Sequence, residues 1–132
     1  MSHHLFLALP LLLFLSCSAP FNLTDRSGNT FVIKSPKLEY GGNLEYRAGD
    51  AIRVLKIKDI DSLSVPEAEP TVFDGKVFYP ATLFLEDSVS VPKQGFICVE
   101  GTIIAENAGR DFSIPLAKIK ELSRQKKEKE KE

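Results

Sequence analysis

From Thr30 to Ile114 polar and apolar residues take turns, and glycine-bearing turns cut the pattern into short lengths. A period of two sends successive side chains to opposite faces, so each length reads as a half-buried strand. "TFVIK" (30–34) is rich in β-formers, and "LEYGGNLEY" (38–46) places Gly41, Gly42 and Asn43 between two extended pieces. Those three residues accept positive φ at little cost and predict a hairpin turn. "DAIRVLKIKDI" alternates through Ile52 and Val54, then slips by one between Leu55 and Ile57, as a bulge requires. "VPEAEP" (65–70) reads as a connector, and Asp74-Gly75 as a turn within "TVFDGKVFYPATLFLE". "GFICVEGTIIAE" and "RDFSIPL" complete the series. The expected fold is mainly β, a small barrel or two-sheet sandwich.

The pattern also repeats weakly. Gly49, Ile52, Val54, Ile57, Ile60 and Leu63 can be laid over Gly109, Phe112, Ile114, Leu116, Ile119 and Leu122 with one residue inserted after Val54. Upstream, Gly28 and Phe31 match Gly75 and Phe78. Two amphipathic strands can also be aligned this way by chance, so two echoing halves stand as an expectation for the structure to meet. The second copy, "GRDFSIPLAKIKEL" (109–122), resembles the closing strand of small bacterial SH3-like or Sm-like β-modules, which implies a small barrel for the body.

Beyond Pro115 the character changes. "LAKIKELSRQKKEKEKE" is made of good helix formers, and Leu116, Ile119 and Leu122 recur at spacings of three, which predicts a C-terminal helix. After Ser123 nothing apolar remains to bury, so the last residues read as a solvated charged tail.

At the other end, Leu5 to Leu15 is an uncharged apolar run of eleven residues. As a helix it spans roughly 17 Å against a hydrocarbon core of about 30 Å, too short to cross and the right length for a signal-peptide core. "LFLSC" (13–17) resembles the relaxed lipobox of spirochaete-type bacterial lipoproteins. That resemblance implies cleavage before Cys17, a diacylglycerol on its thiol and an acylated amino group. Several acyl chains hold a protein durably where one does not. An ordinary signal peptidase cutting after Ser18 or Ala19 is the competing reading. The segments are then 1–16 signal peptide, 17–29 attachment cysteine, tether and entry to the domain, 30–114 β-domain, and 115–132 helix and charged tail.

Chemistry-bearing residues are few. Both histidines, His3 and His4, lie in the leader, so the mature chain has no imidazole to serve as base or ligand. Cys98, within an alternating strand, reads as a buried structural thiol. No catalytic residue, metal ligand or cofactor motif is assigned. A formal net charge of −1 argues against nucleic acid as a partner. Tyr40 and Tyr46 flank the Gly41–Asn43 turn and are the candidate patch for a protein partner. The chain is therefore expected to be a non-enzymatic envelope lipoprotein. It would be exported across the inner membrane, held to the outer membrane or periplasmic face through its lipid, and present a β-domain to protein or surface. A secreted or periplasmic module enclosing a small apolar ligand is the alternative, and a carboxylate-only hydrolase the remotest.

Overall fold

The computed structural model describes residues 19–85 and 93–125. The leader, Cys17 and the charged tail beyond Gln125 lie outside them. The described residues form eleven strands: β1 (Phe21–Asp25), β2 (Thr30–Leu38), β3 (Leu44–Ala48), β4 (Ala51–Leu55), β5 (Ile60–Ser64), β6 (Thr71–Phe73), β7 (Lys76–Leu85), β8 (Lys93–Cys98), β9 (Thr102–Asn107), β10 (Arg110–Pro115) and β11 (Ile119–Arg124). The mainly β expectation holds. Neither the small barrel nor the two-sheet sandwich does: the strands make one antiparallel sheet in the order β10-β9-β2-β1-β11-β5-β7-β8-β3-β4, with β6 added to β7, and the sheet does not close. Among the described residues the two end strands, β10 and β4, each keep an unpaired edge. One face carries a single core, in which Phe21, Leu23, Ile33, Tyr46, Ile60, Leu63, Leu83 and Leu122 are almost fully buried. Each such side chain contributes about 1.5–3 kcal/mol on leaving water.

Among the described residues no C-terminal helix forms. Leu116–Lys118 is one 3-10 turn, and Ile119–Arg124 is strand β11 in the middle of the sheet. The spacing of three has two causes there. Leu116 and Ile119 bracket a three-residue turn. Between Ile119 and Leu122 the ladder with β1 slips, because Thr24 faces Glu121 and Asp25 faces Ile119, leaving Lys120 as the extra residue of a bulge. That extra residue brings Ile119 and Leu122 to the same face, and both are buried.

The repeat is present, with a different alignment. Leu44, Leu55, Ile57, Ile60 and Leu63 have as counterparts Ile103, Ile114, Leu116, Ile119 and Leu122, each 59 residues further on. Leu44 opposes Leu55 as Ile103 opposes Ile114, and each hairpin leads through a 3-10 turn into a bulged strand. The bulge recurs as well: between Ile60 and Ser62 the ladder to β7 skips Asp61, the counterpart of Lys120. No insertion after Val54 is needed, since Leu55 and not Val54 corresponds to Ile114. The slip near Leu55 is the end of β4 and a 3-10 turn at Ile57–Asp59 rather than a bulge. The Gly28/Gly75 match also fails. The turn at Gly75 joins β6 to β7, whereas the counterpart of hairpin β1–β2 is β7–β8.

Pairing then crosses between the halves. β2 pairs with β9 and β1 with β11, while β8 pairs with β3 and β7 with β5. Each five-stranded unit therefore takes its opening hairpin from one half of the sequence and its other three strands from the other half. The predicted hairpin at Gly41–Asn43 is the crossover between units, because β2 and β3 do not pair. The units join at β5–β11, where Leu63 sits opposite Leu122, its own counterpart. Arg26 fastens the exchange: Nε donates to the Ala117 carbonyl at 3.1 Å and Nη1 to that of Val65 at 3.1 Å.

Candidate functional site

The first described residues, Ala19 and Pro20, lead directly into β1, and the Gln125 amide donates to the Pro20 carbonyl at 2.8 Å. The two ends of the described chain therefore lie side by side. Cys17, the candidate lipid-attachment residue, falls outside the described residues, four positions before Phe21.

Tyr40 and Tyr46 do not share a surface. Tyr46 is fully buried in the core, where desolvation raises its phenol pKa and its hydroxyl has no hydrogen-bond partner among the described residues. Tyr40 is 95 % exposed on the 3-10 turn Glu39–Gly41, at φ 63°. The alternation that marks strands also decides their fates: Tyr46 lies on the core face of β3, and Tyr40 belongs to the crossover. Cys98 is buried, as its strand position implied, but on the face opposite the main core, where its residue opposes Phe78.

That second face is where the two units differ. In the unit built from β7, β8, β3, β4 and β5 it is covered. Arg47 of β3 bonds Asp74 at 2.7 Å and Glu45 at 3.0 Å, and Lys76 meets Glu45 at 3.3 Å. The hydrogen bond to Asp74, reinforced by Glu45, raises the Arg47 pKa further above its already high value. Its guanidinium carbon lies 5.0 Å from the Phe73 ring centre and 5.1 Å from that of Phe78. Phe73 meets Phe78 edge-on at 5.1 Å and Phe96 at 5.5 Å, separations at which such ring pairs attract. Phe73 and Asp74 both come from β6 and its turn, a hairpin half with no counterpart among the described residues of the other unit. Gly95 lets β8 approach closely: a Cβ there would stand 2.0 Å from the Arg47 carbonyl oxygen.

In the unit built from β1, β2, β9, β10 and β11 the corresponding face is open. A trough of about 540 Å³ crosses β2, β9 and β10, with Ser35, Lys37, Ile104, Glu106, Asp111 and Ser113 among its walls. Glu106 is the counterpart of Arg47 and Asp111 of Ile52, so the charge at the centre is inverted. Glu106 and Asp111 oppose each other directly across the β9–β10 ladder, an arrangement that is destabilising when two like charges face. Lys34, opposite Glu106 on β2, makes no ion pair with it, and among the described residues neither acid has a salt-bridge partner.

Sequence reasoning passed over Arg47, Phe73, Glu106 and Asp111. The only local signal was their charge or ring at mid-strand; their neighbours are set by pairing across the halves. Among the described residues no group of three or more His, Cys, Asp or Glu is placed to hold a metal ion. No helix there is long and apolar enough to cross a membrane. No family model, curated protein or solved structure matches the chain.

Proposed function

We propose that the chain is a non-enzymatic lipoprotein of the cell envelope, tethered through Cys17 and using its β-body for contacts with protein. The observation that carries the reading is the thiol closing the apolar run Leu5–Leu15, four residues before β1. Four extended residues span at most ~14 Å, so a lipid on Cys17 would hold the sheet close to the membrane surface. The packed interior favours contacts on the outside over an enclosed apolar ligand.

Intact mass of the mature protein and phase partitioning into detergent test the tether. The mature chain is expected to begin at Cys17, carry the added mass of a glyceride and acyl chains, and enter the detergent phase. Cys17→Ala should abolish all three. A natural polypeptide that begins at Ala19 or Pro20, or carries Cys17 unmodified, overturns the proposal.

A further inference from the structure

The two units present the same face in two states, and the covered one shows what the open one lacks. Over β7, β8 and β3 the cover consists of an aromatic ring, Phe73, packed on Phe78 and Phe96, and a charge, Asp74, opposite in sign to Arg47. Over β2, β9 and β10 the central residue is Glu106, doubled by Asp111 across the ladder, and neither is neutralised among the described residues. We propose that the trough across β2, β9 and β10 is a docking site for an extended segment of a partner protein that carries an aromatic side chain beside a basic one.

Three features fit that occupant. The base would meet Glu106 and Asp111, relieving the repulsion that their direct opposition imposes. The ring would lie over Ile104, whose side chain is only part-covered, in a trough large enough for an aromatic residue and its neighbours. β10, one wall of the trough, is an edge strand among the described residues, and a strand added there would meet a row of main-chain donors and acceptors that none of them pairs.

The chain's own residues 126–132 are a weaker occupant. They carry lysines, and Gln125 before them is on the same rung as Glu106, because it bonds Pro20, which precedes Phe21 opposite Ile33, and Lys34 opposes Glu106. Yet they hold no apolar side chain. Exposed ion pairs of at most about 1 kcal/mol each do not offset ~1–2 kcal/mol of ordering per residue.

This inference names the partner for the protein-contact half of the reading above and rests on it, while remaining independent of the lipid. The test uses the chain from residue 17 to 132 with Cys17→Ser, so its failure leaves the tether untouched. Two labelled peptides serve as probes: acetyl-PTVFDGKV-amide, the chain's own β6 hairpin segment, and acetyl-PTVFRGKV-amide, the same with its acid made basic. Fluorescence anisotropy and amide chemical-shift mapping are read. The basic peptide is expected to bind at least tenfold tighter than the acidic one and to shift the amides of Ile104, Glu106, Asp111 and Ser113. Glu106→Arg should reverse the order of the two peptides, and Glu106→Gln should erase the difference. Equal affinities, shifts confined to other surfaces, or an order unchanged by Glu106→Arg overturns the proposal. So does removal of residues 126–132 if it shifts the trough amides without any peptide, since the tail then covers the trough.

Discussion

The two five-stranded units share ladders, bulges and 3-10 turns, yet they handle their outer faces differently. In one, a two-residue turn after β6 swings Phe73 and Asp74 over the face and closes it around Arg47. In the other, nothing among the described residues arrives, and the position of Arg47 is taken by Glu106. The two units therefore match at their buried positions while their solvent faces differ. Leu44 and Ile103 are both in the core, as are Ile60 and Ile119, whereas Ile52 and Asp111 share no chemistry. The core is held because volume changes there cost several kcal/mol; surface changes cost little.

The largest expected effect follows from the exchange of hairpins. Residues 19–65 and 66–125 produced separately should each lack a dispersed amide spectrum and acquire one only when mixed at equal concentration. A folded monomer of 19–65 would show that its hairpin can pair within its own half and would break the comparison. Next in size is Gly95→Ala. A Cβ 2.0 Å from the Arg47 carbonyl must push β8 from β3, with an expected loss of ~3 kcal/mol or more in urea unfolding. On the opposite unit the β2–β9 ladder shifts register between Lys34 and Lys37, and Lys34 is exposed, so Lys34→Ala should fall within about 0.5 kcal/mol of the parent.

The alternation from Thr30 onward located the strands because it is a local property of each segment. The Asp74-Gly75 turn was legible for the same reason, since both residues take positive φ there. Partners were not legible. Gly41-Gly42-Asn43 has turn chemistry, which says that the chain changes direction and is silent on whether β2 and β3 then pair. Leu116, Ile119 and Leu122 fit a helical face and a turn followed by a bulge equally well; the ladder to β1 decides between them. Laying Ile114 over Val54 rather than Leu55 had the same origin, because both are apolar and only the β3–β4 register shows which faces the core. The Arg47 cluster was out of reach altogether, since Asp74 reaches it across 27 residues of sequence.

Removing the cover sharpens the comparison from the closed side. Phe73→Ala deletes two edge-on ring contacts and one of the two rings beside the Arg47 guanidinium, with an expected cost of ~2 kcal/mol, below a fully buried phenylalanine because Phe73 is only partly buried. The loss should also open the buried Cys98, read as faster reaction with a thiol reagent under native conditions. An unchanged rate would mean that β6 is an ornament on a face already closed by Phe78 and Phe96.

The smallest effect concerns the loop of the exchanged hairpin β1–β2. Asp25 accepts from the amides of Asn29 and Ser27, each at 2.9 Å, and from the Asn29 side chain at 3.3 Å. The Asn29 amide is the leading cause of a carboxyl pKa below the usual aspartate value, with Asn29 side-chain and Ser27 bonds adding to it and desolvation opposing. A carboxyl whose folded pKa is depressed binds fewer protons folded than unfolded. Its contribution is thus present above the unfolded value, near pH 4, and fades as pH falls through the folded one. Asp25→Asn should leave the shallow slope of thermal midpoint against pH unchanged above pH 5 and flatten it below pH 4. The open unit owns this loop, and Arg26 within it grips Ala117 in the last 3-10 turn and Val65 just past β5, one from each half of the sequence. Loosening it by acid should therefore weaken both units together; a midpoint that splits into two transitions would show that the exchanged hairpins do not bind the halves into one cooperative body.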